Sequence, residues 1–245
     1  MSSINRISKK RTAILAAAVA GMGLFVGSAK AVNEANWTND AAGSWSTGPW
    51  TVIQGAAPPN GIDDIARFSK SMGADRAINV DSAVTLGTLI LSNQGSNTGR
   101  EWQLSGSDLT LQVSTGNALL STQGLSGNNN STHVIANNVA INSNLDVNVT
   151  GGGINFTGLV TGSGNIIKDG AGTLQLTNAI DGWAGDITLN AGTLNLRDNG
   201  PGGNNQIINY GHDLTVGGNA TLSIDRISSV SGNTYAMGAL SIGSN

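Results

Sequence analysis

From Val80 onward the chain returns to one short phrase, apolar–polar–apolar. It reads Leu109-Thr110-Leu111, Leu145-Asp146-Val147, Ile154-Asn155-Phe156, Leu174-Gln175-Leu176, Ile187-Thr188-Leu189, Leu194-Asn195-Leu196, Leu214-Thr215-Val216, Leu222-Ser223-Ile224 and Leu240-Ser241-Ile242. Strict alternation places the apolar pair of each phrase on one face of a short strand. Leu89-Ile90-Leu91 departs from it, being apolar throughout. Gly, Asn, Ser or Asp follow most phrases within a few residues, the chemistry that turns require. No sustained helical period follows the first 31 residues, so an all-β fold is predicted.

The phrases also keep a register. Ile154, Leu174, Leu194 and Leu214 recur at a fixed interval, each with an apolar partner two positions on: Phe156, Leu176, Leu196 and Val216. Val147, Ile167, Ile187 and Ile207 form a second column, with Leu189 as the partner of Ile187, and Gly152, Gly172 and Gly192 a third. One fixed period in several columns predicts a parallel β-helix, a solenoid of about 20 residues per turn. Ile154, Phe156, Leu174, Leu176, Ile187, Leu189, Leu194, Leu196, Leu214 and Val216 are its expected core. Asparagines at repeated turns are expected to hydrogen-bond along the stack. Residues 81–245 form the repeat region, roughly eight turns and on the order of 40 Å in length.

Residues 32–80 read differently. They hold Trp37, Trp45 and Trp50, the last two inside Gly43-Ser44-Trp45-Ser46-Thr47-Gly48-Pro49-Trp50. A solenoid end exposes unpaired strand edges and an open core, and large aromatics can close it. The expectation is an N-terminal cap. The alternative is a carbohydrate platform, because tryptophan faces stack on pyranose rings.

Residues 1–31 read as a signal peptide. Arg6, Lys9, Lys10 and Arg11 precede an uncharged, mostly apolar run from Thr12 to Val26, and Ala29-Lys30-Ala31 gives the small-x-small cleavage pattern. The run is shorter than the roughly 20 residues that span a bilayer. Cleavage after Ala31 would leave Val32 at the terminus, and export to the cell surface or medium is predicted. The remainder carries seven basic and 15 acidic residues, a net charge of −8. That balance argues against nucleic acid and anionic membrane surfaces as partners. There is no cysteine, so an exported chain would be held by backbone hydrogen bonds and packing alone. Glycine counts 35 and charged residues only 11%, which suits many short strands joined by tight turns.

Gly162-Ser163-Gly164-Asn165-Ile166-Ile167-Lys168-Asp169-Gly170-Ala171-Gly172-Thr173-Leu174-Gln175-Leu176, with Ile187, Leu189 and Asn190-Ala191-Gly192-Thr193-Leu194-Asn195-Leu196, resembles the autotransporter-associated β-strand repeat. That repeat reads G-x-L-x-K-x-G-x-G-T-L-x-L, a variable turn, then a strand and N-A-G-T-L-x-L. The usual N-T-Y-x-G turn is replaced by residues 178–185, although Asn233-Thr234-Tyr235 echoes it. The match is close over about forty residues. It implies a right-handed β-helical passenger region of a bacterial surface protein, structural or adhesive, that meets polysaccharide or matrix. The family is defined by architecture, so no catalytic residue carries over. A complete autotransporter ends in a membrane β-barrel, whose alternating strands are not read here. The expectation is a chain truncated at its C-terminus, lacking a barrel or anchor, or a short free secreted form.

Parallel β-helices also carry polysaccharide lyases and hydrolases, which need clustered carboxylates. Asp169, Asp181, Asp186, Asp198, Asp213 and Asp225 do not keep the repeat interval, so no stacked acids are expected. Asp63-Asp64, the one adjacent acidic pair, reads as a solvated turn. His133 and His212 lack a second ligand at metal spacing and read as surface residues. The calcium nonapeptide and the G-x-S-x-G elbow are absent. No catalytic residue, metal or cofactor is therefore expected. A carbohydrate-active enzyme or a carbohydrate-binding module is the alternative.

Overall fold

The computed structural model describes residues 31–95, 99–122, 131–177 and 182–243. The chain divides after Ala31, and every described strand lies in the unit Val32–Asn245. Of the expected signal-peptide residues only Ala31 is described; Ala29 and the rest lie outside the described residues, as does the first half of the variable turn, residues 178–181, with Asp181.

Among the described residues there are strands and turns and no helix. The chain visits three sheets in rotation. Ile65–Lys70 belongs to a ten-stranded sheet, Arg76–Val80 to an eight-stranded sheet and Val84–Leu86 to a five-stranded sheet. The next circuit, Thr88–Asn93, Trp102–Gly106 and Leu109–Leu111, lies beside the first, strand on strand, and pairs with it in parallel. Further circuits follow the same order, and from the one at Gly192–Arg197 onward a two-stranded sheet, Ile207–Asn209 with Thr234–Ala236, replaces the five-stranded one. Among the described residues the one antiparallel pairing is at the start, where Trp50–Gln54 lies against Glu34–Trp37. An all-β chain of parallel sheets visited in rotation is consistent with a β-helix or solenoid.

The apolar pairs of the repeated phrase point inward. Ile154, Phe156, Leu174, Leu176, Ile187, Leu189, Leu194, Leu196 and Leu214 are buried, and Val216 is half-buried against the core. Ile154 pairs with Leu174 and Leu174 with Leu194, as the spacing predicts. The glycine column also holds, for Thr173 N–H donates to Gly152 O and Thr193 N–H to Gly172 O.

Two parts of the predicted register are corrected. Leu194 is followed by Leu222, not Leu214, which stacks on Ile187 in the ten-stranded sheet. The cause is residues 198–206, which lengthen the circuit after Gly192–Arg197, so a position twenty residues on falls in a different sheet. The column Val147, Ile167, Ile187, Ile207 does not form. Val147 pairs with Lys168 and Ile187 with Ile166. Ile167 sits on the other face between Asp146 and Thr188, and Ile207 is exposed in the two-stranded sheet. Strand parity decides this: a one-residue slip exchanges the inward and outward sets.

Gly170 shows why the turns need glycine. Its φ is 79°, in the left-handed region, and a Cβ there would lie 2.4 Å from Val149 O of the preceding circuit. Any side chain would prevent the close approach that brings the two turns into pairing distance.

Candidate functional site

The tryptophans form a closed cluster. Phe68 lies 5.2–5.7 Å, centroid to centroid, from Trp37, Trp45, Trp50 and Trp102, mostly edge-to-face or tilted. Such arrangements satisfy the ring quadrupoles. Each indole N–H donates to a backbone carbonyl: Trp37 to Ala41, Trp45 to Pro59, Trp50 to Trp45 and Trp102 to Ser92. Trp37 and Trp45 are buried and Trp50 is half-buried. The platform alternative for Trp37, Trp45 and Trp50 is corrected on this ground, since two of the three faces are covered by their own neighbours. Gly48 permits the closure, because a Cβ there would stand 2.0 Å from the Trp37 ring.

The expected solvated turn at Asp63-Asp64 is also corrected. Asp64 is buried, and its carboxylate accepts from Asn33 N–H (2.9 Å), Asn33 Nδ2 (2.8 Å) and Asn60 N–H (3.0 Å). Its backbone carbonyl accepts from Gly87 and Thr88. Asp63 takes a φ of 69° and its carboxylate accepts from Ser114 N–H. The pair ties the first strands to the following circuits, and three donors on one buried carboxylate provide the pairing that such a charge needs.

Both histidines are inside, not on the surface. His133 occupies an inward slot of Thr132–Ile135, stacked in register on Ile154. Its Nδ1 accepts from Trp102 N–H at 3.1 Å, and its Nε2 is buried without a hydrogen-bond partner. Burial pushes its pKa down to about 4, so the ring is neutral at ordinary pH. His212 lies 4.5 Å from the Trp183 ring, and its Nδ1 is 2.8 Å from Gly185 O.

Lys168 is the buried cation. It points inward between Val147 and Leu189, and its ammonium donates to the carbonyls of Asp169 (2.8 Å), Gly170 (2.8 Å) and Ala191 (3.2 Å). Desolvation lowers its pKa to about 8, against a raising contribution from the Asp169 charge. The amine gathers the carbonyls of two successive turns.

Outside, the turns carry a polar ladder. Asn144 Oδ1 accepts from Asn165 N–H, Asn165 Oδ1 from Asp186 N–H, Asp186 Oδ1 from Asp213 N–H and Asp213 Oδ1 from Ala239 N–H. Asp186 and Asp213 therefore stack, against the expectation that the acids are scattered. They stack because the longer circuit separates them by 27 positions rather than twenty. Among the described residues no three His, Cys, Asp or Glu side chains gather as a metal cluster would.

One cleft of about 200 Å³ lies where the strand Ala220–Asp225 passes into the loop before Thr234–Ala236. Ile224 and Tyr235 line it with Asp225, Arg226, Ser231 and Asn233. The sequence places Ile224 in a strand phrase and Asp225 among the acids off the repeat interval, and marks neither as part of a site. Asn233-Thr234-Tyr235 was visible as a motif echo, but nothing in the spacing joins it to Asp225 and Arg226; the loop does that.

The chain matches no family model, no curated protein and no solved structure. Among the described residues no helix is long and apolar enough to cross a membrane.

Proposed function

We propose that the chain is an exported structural or adhesive module, a passenger-like β-helix of a bacterial surface or secreted protein. In this reading the coil is right-handed, the hand that parallel crossovers take, with about 20 residues per turn in its most regular part. It has no catalytic role and needs no cofactor. Its partners are surface polysaccharide or matrix. The observation that supports this best is the division of labour across each strand. Apolar residues fill the inside, and a ladder of Asn and Asp side chains runs along the turns, each receiving the backbone N–H of the next circuit. Such a stack presents a repetitive polar wall.

Export is tested by fractionating cells that express the full chain and sequencing the N-terminus of the product. Surface or medium fractions should hold a protein that begins at Val32. A product retained in the cytosol with Met1 intact would reject the proposal.

A further inference from the structure

We propose that Asn199-Gly200 is a self-modifying site, where the fold drives Asn199 to lose its side-chain amide as ammonia through a cyclic succinimide, with water as the co-reactant. In this reaction the backbone nitrogen that follows an asparagine attacks that asparagine's own Cγ. A glycine in second place leaves the nitrogen unshielded by a Cβ. The sequence holds two such pairs, Asn60-Gly61 and Asn199-Gly200, and the fold surrounds them differently.

At Asn199 a protein group stands at each atom whose charge changes. Gly200 N–H, which must give up its proton, donates to Asp198 Oδ1 at 2.7 Å, so the nucleophile has a base in place. The carbonyl of the same peptide, Asn199 O, accepts from Asn233 Nδ2 at 3.1 Å, which favours the imidate that deprotonation forms. Asn199 Oδ1, where negative charge gathers as Cγ is attacked, accepts from the backbone N–H groups of Ile227 (2.8 Å) and Ser228 (3.2 Å). Two backbone donors on one developing oxyanion are the arrangement that stabilises acyl-transfer intermediates. Nδ2, the atom that leaves, donates to Ser228 Oγ at 2.8 Å. Asp198 is buried and fixed through its backbone, its N–H donating to Asp225 O (3.1 Å) and its carbonyl accepting from the Tyr235 hydroxyl (2.8 Å).

The bond from Gly200 N to Asn199 Cγ forms as the N–H proton passes to Asp198. The tetrahedral centre then breaks its Cγ–Nδ2 bond, Asp198 returns the proton to Nδ2, and ammonia departs. Water opens the succinimide at either carbonyl, leaving aspartate or isoaspartate at 199. Aspartate there meets the same two N–H groups as a charged acceptor, so the product is held more firmly than the amide. At Asn60 the nucleophile is otherwise engaged. Gly61 is buried, and its N–H donates at 2.8 Å to Thr85 O, a peptide carbonyl that cannot take the proton.

The test follows Asn60 and Asn199 in the full folded chain at neutral pH, by peptide mass mapping and isoaspartate labelling over time. A synthetic peptide of residues 196–204 gives the rate without the fold. Asn199 in the folded chain should convert about tenfold or more faster than in the peptide, a modest share of the roughly 10²–10³ that one oxyanion donor supplies in an enzyme. Asn60 should be slower than Asn199 in the same sample. Asp198→Asn should slow Asn199 about tenfold or more by removing the base, with Asn60 unchanged as the internal clock. If that variant unfolds, Asn60 speeds up and reports it, and the comparison of the wild type with the peptide then decides alone. A folded rate at or below that of the peptide overturns the proposal, as does a folded Asp198→Asn chain that converts as fast as the wild type. Neither outcome touches the export reading, which fractionation decides separately.

Discussion

Lys168 and His133 both take inward slots that the repeated phrase fills with apolar side chains elsewhere, and each has a different physical reason to be tolerated. Lys168 brings three donors to three turn carbonyls, so burial of its amine is matched by hydrogen bonds. His133 matches only one of its two ring nitrogens. That asymmetry gives a pH dependence. The folded imidazole has a pKa of about 4, while the unfolded one titrates near its ordinary 6.5. Between those values the unfolded chain holds a proton that the folded chain does not, so stability falls as pH drops from 6.5 towards 4. The loss attributable to this group is on the order of 3 kcal/mol. Denaturant unfolding of the wild type and His133→Leu across pH 4–7 checks it. The wild type should lose markedly more stability over that window, and parallel curves would refute the assignment. The sequence reading placed His133 on the surface, although it stands two positions before Ile135 and strand parity puts the two on one face. The role of Lys168 was not legible, because its carbonyl partners come from two turns that only folding brings together.

At the scale of the strand, alternation identified the elements and their inward faces, but fixed spacing misassigned one neighbour. Leu194 lies between Leu174 and Leu222, and residues 198–206 are the reason Leu214 is not there. Pairing follows the backbone ladder, so any insertion between strands shifts the partner without disturbing the phrase itself. Leu194→Asp would put an unpaired carboxylate between two leucines and should cost several kcal/mol. Asn195 is the outward neighbour, half-buried, with its Nδ2 donating to Gln175. Asn195→Ser removes that single bond and should cost about 1 kcal/mol. Thermal and urea unfolding of both variants measures the contrast. Similar midpoints for the two would show that the inward and outward faces are wrongly assigned. Three tryptophans ahead of residue 81 led to the expectation of a cap. The bonds from Asn33 and Asn60 to Asp64 were not legible, because Asp64 reads as a surface turn until they fold onto it.

At the scale of the whole stack, stability accumulates between neighbouring circuits, each strand pairing with the one before and the one after. The apolar columns supply the burial and the turn ladder supplies the register. The exposed acids matter here, because Asp186 and Asp213 stack in one column and could be suspected of holding a cation. Their geometry points elsewhere. One oxygen of each already accepts a backbone N–H from the next circuit, Asp186 from Asp213 and Asp213 from Ala239. A hard cation such as calcium takes six to eight oxygen ligands, and the described acids do not gather in threes. A ligand that bound only the folded chain would raise the unfolding midpoint with its concentration by mass action. The expected result is a thermal midpoint that is the same in excess EDTA and in millimolar calcium. The measurement belongs on monomeric material, since association would add its own concentration dependence. A fall of several degrees on chelation would mean that the Asp column serves a metal as well as the backbone, and the absence of a cofactor would then be the first part of the functional proposal to go.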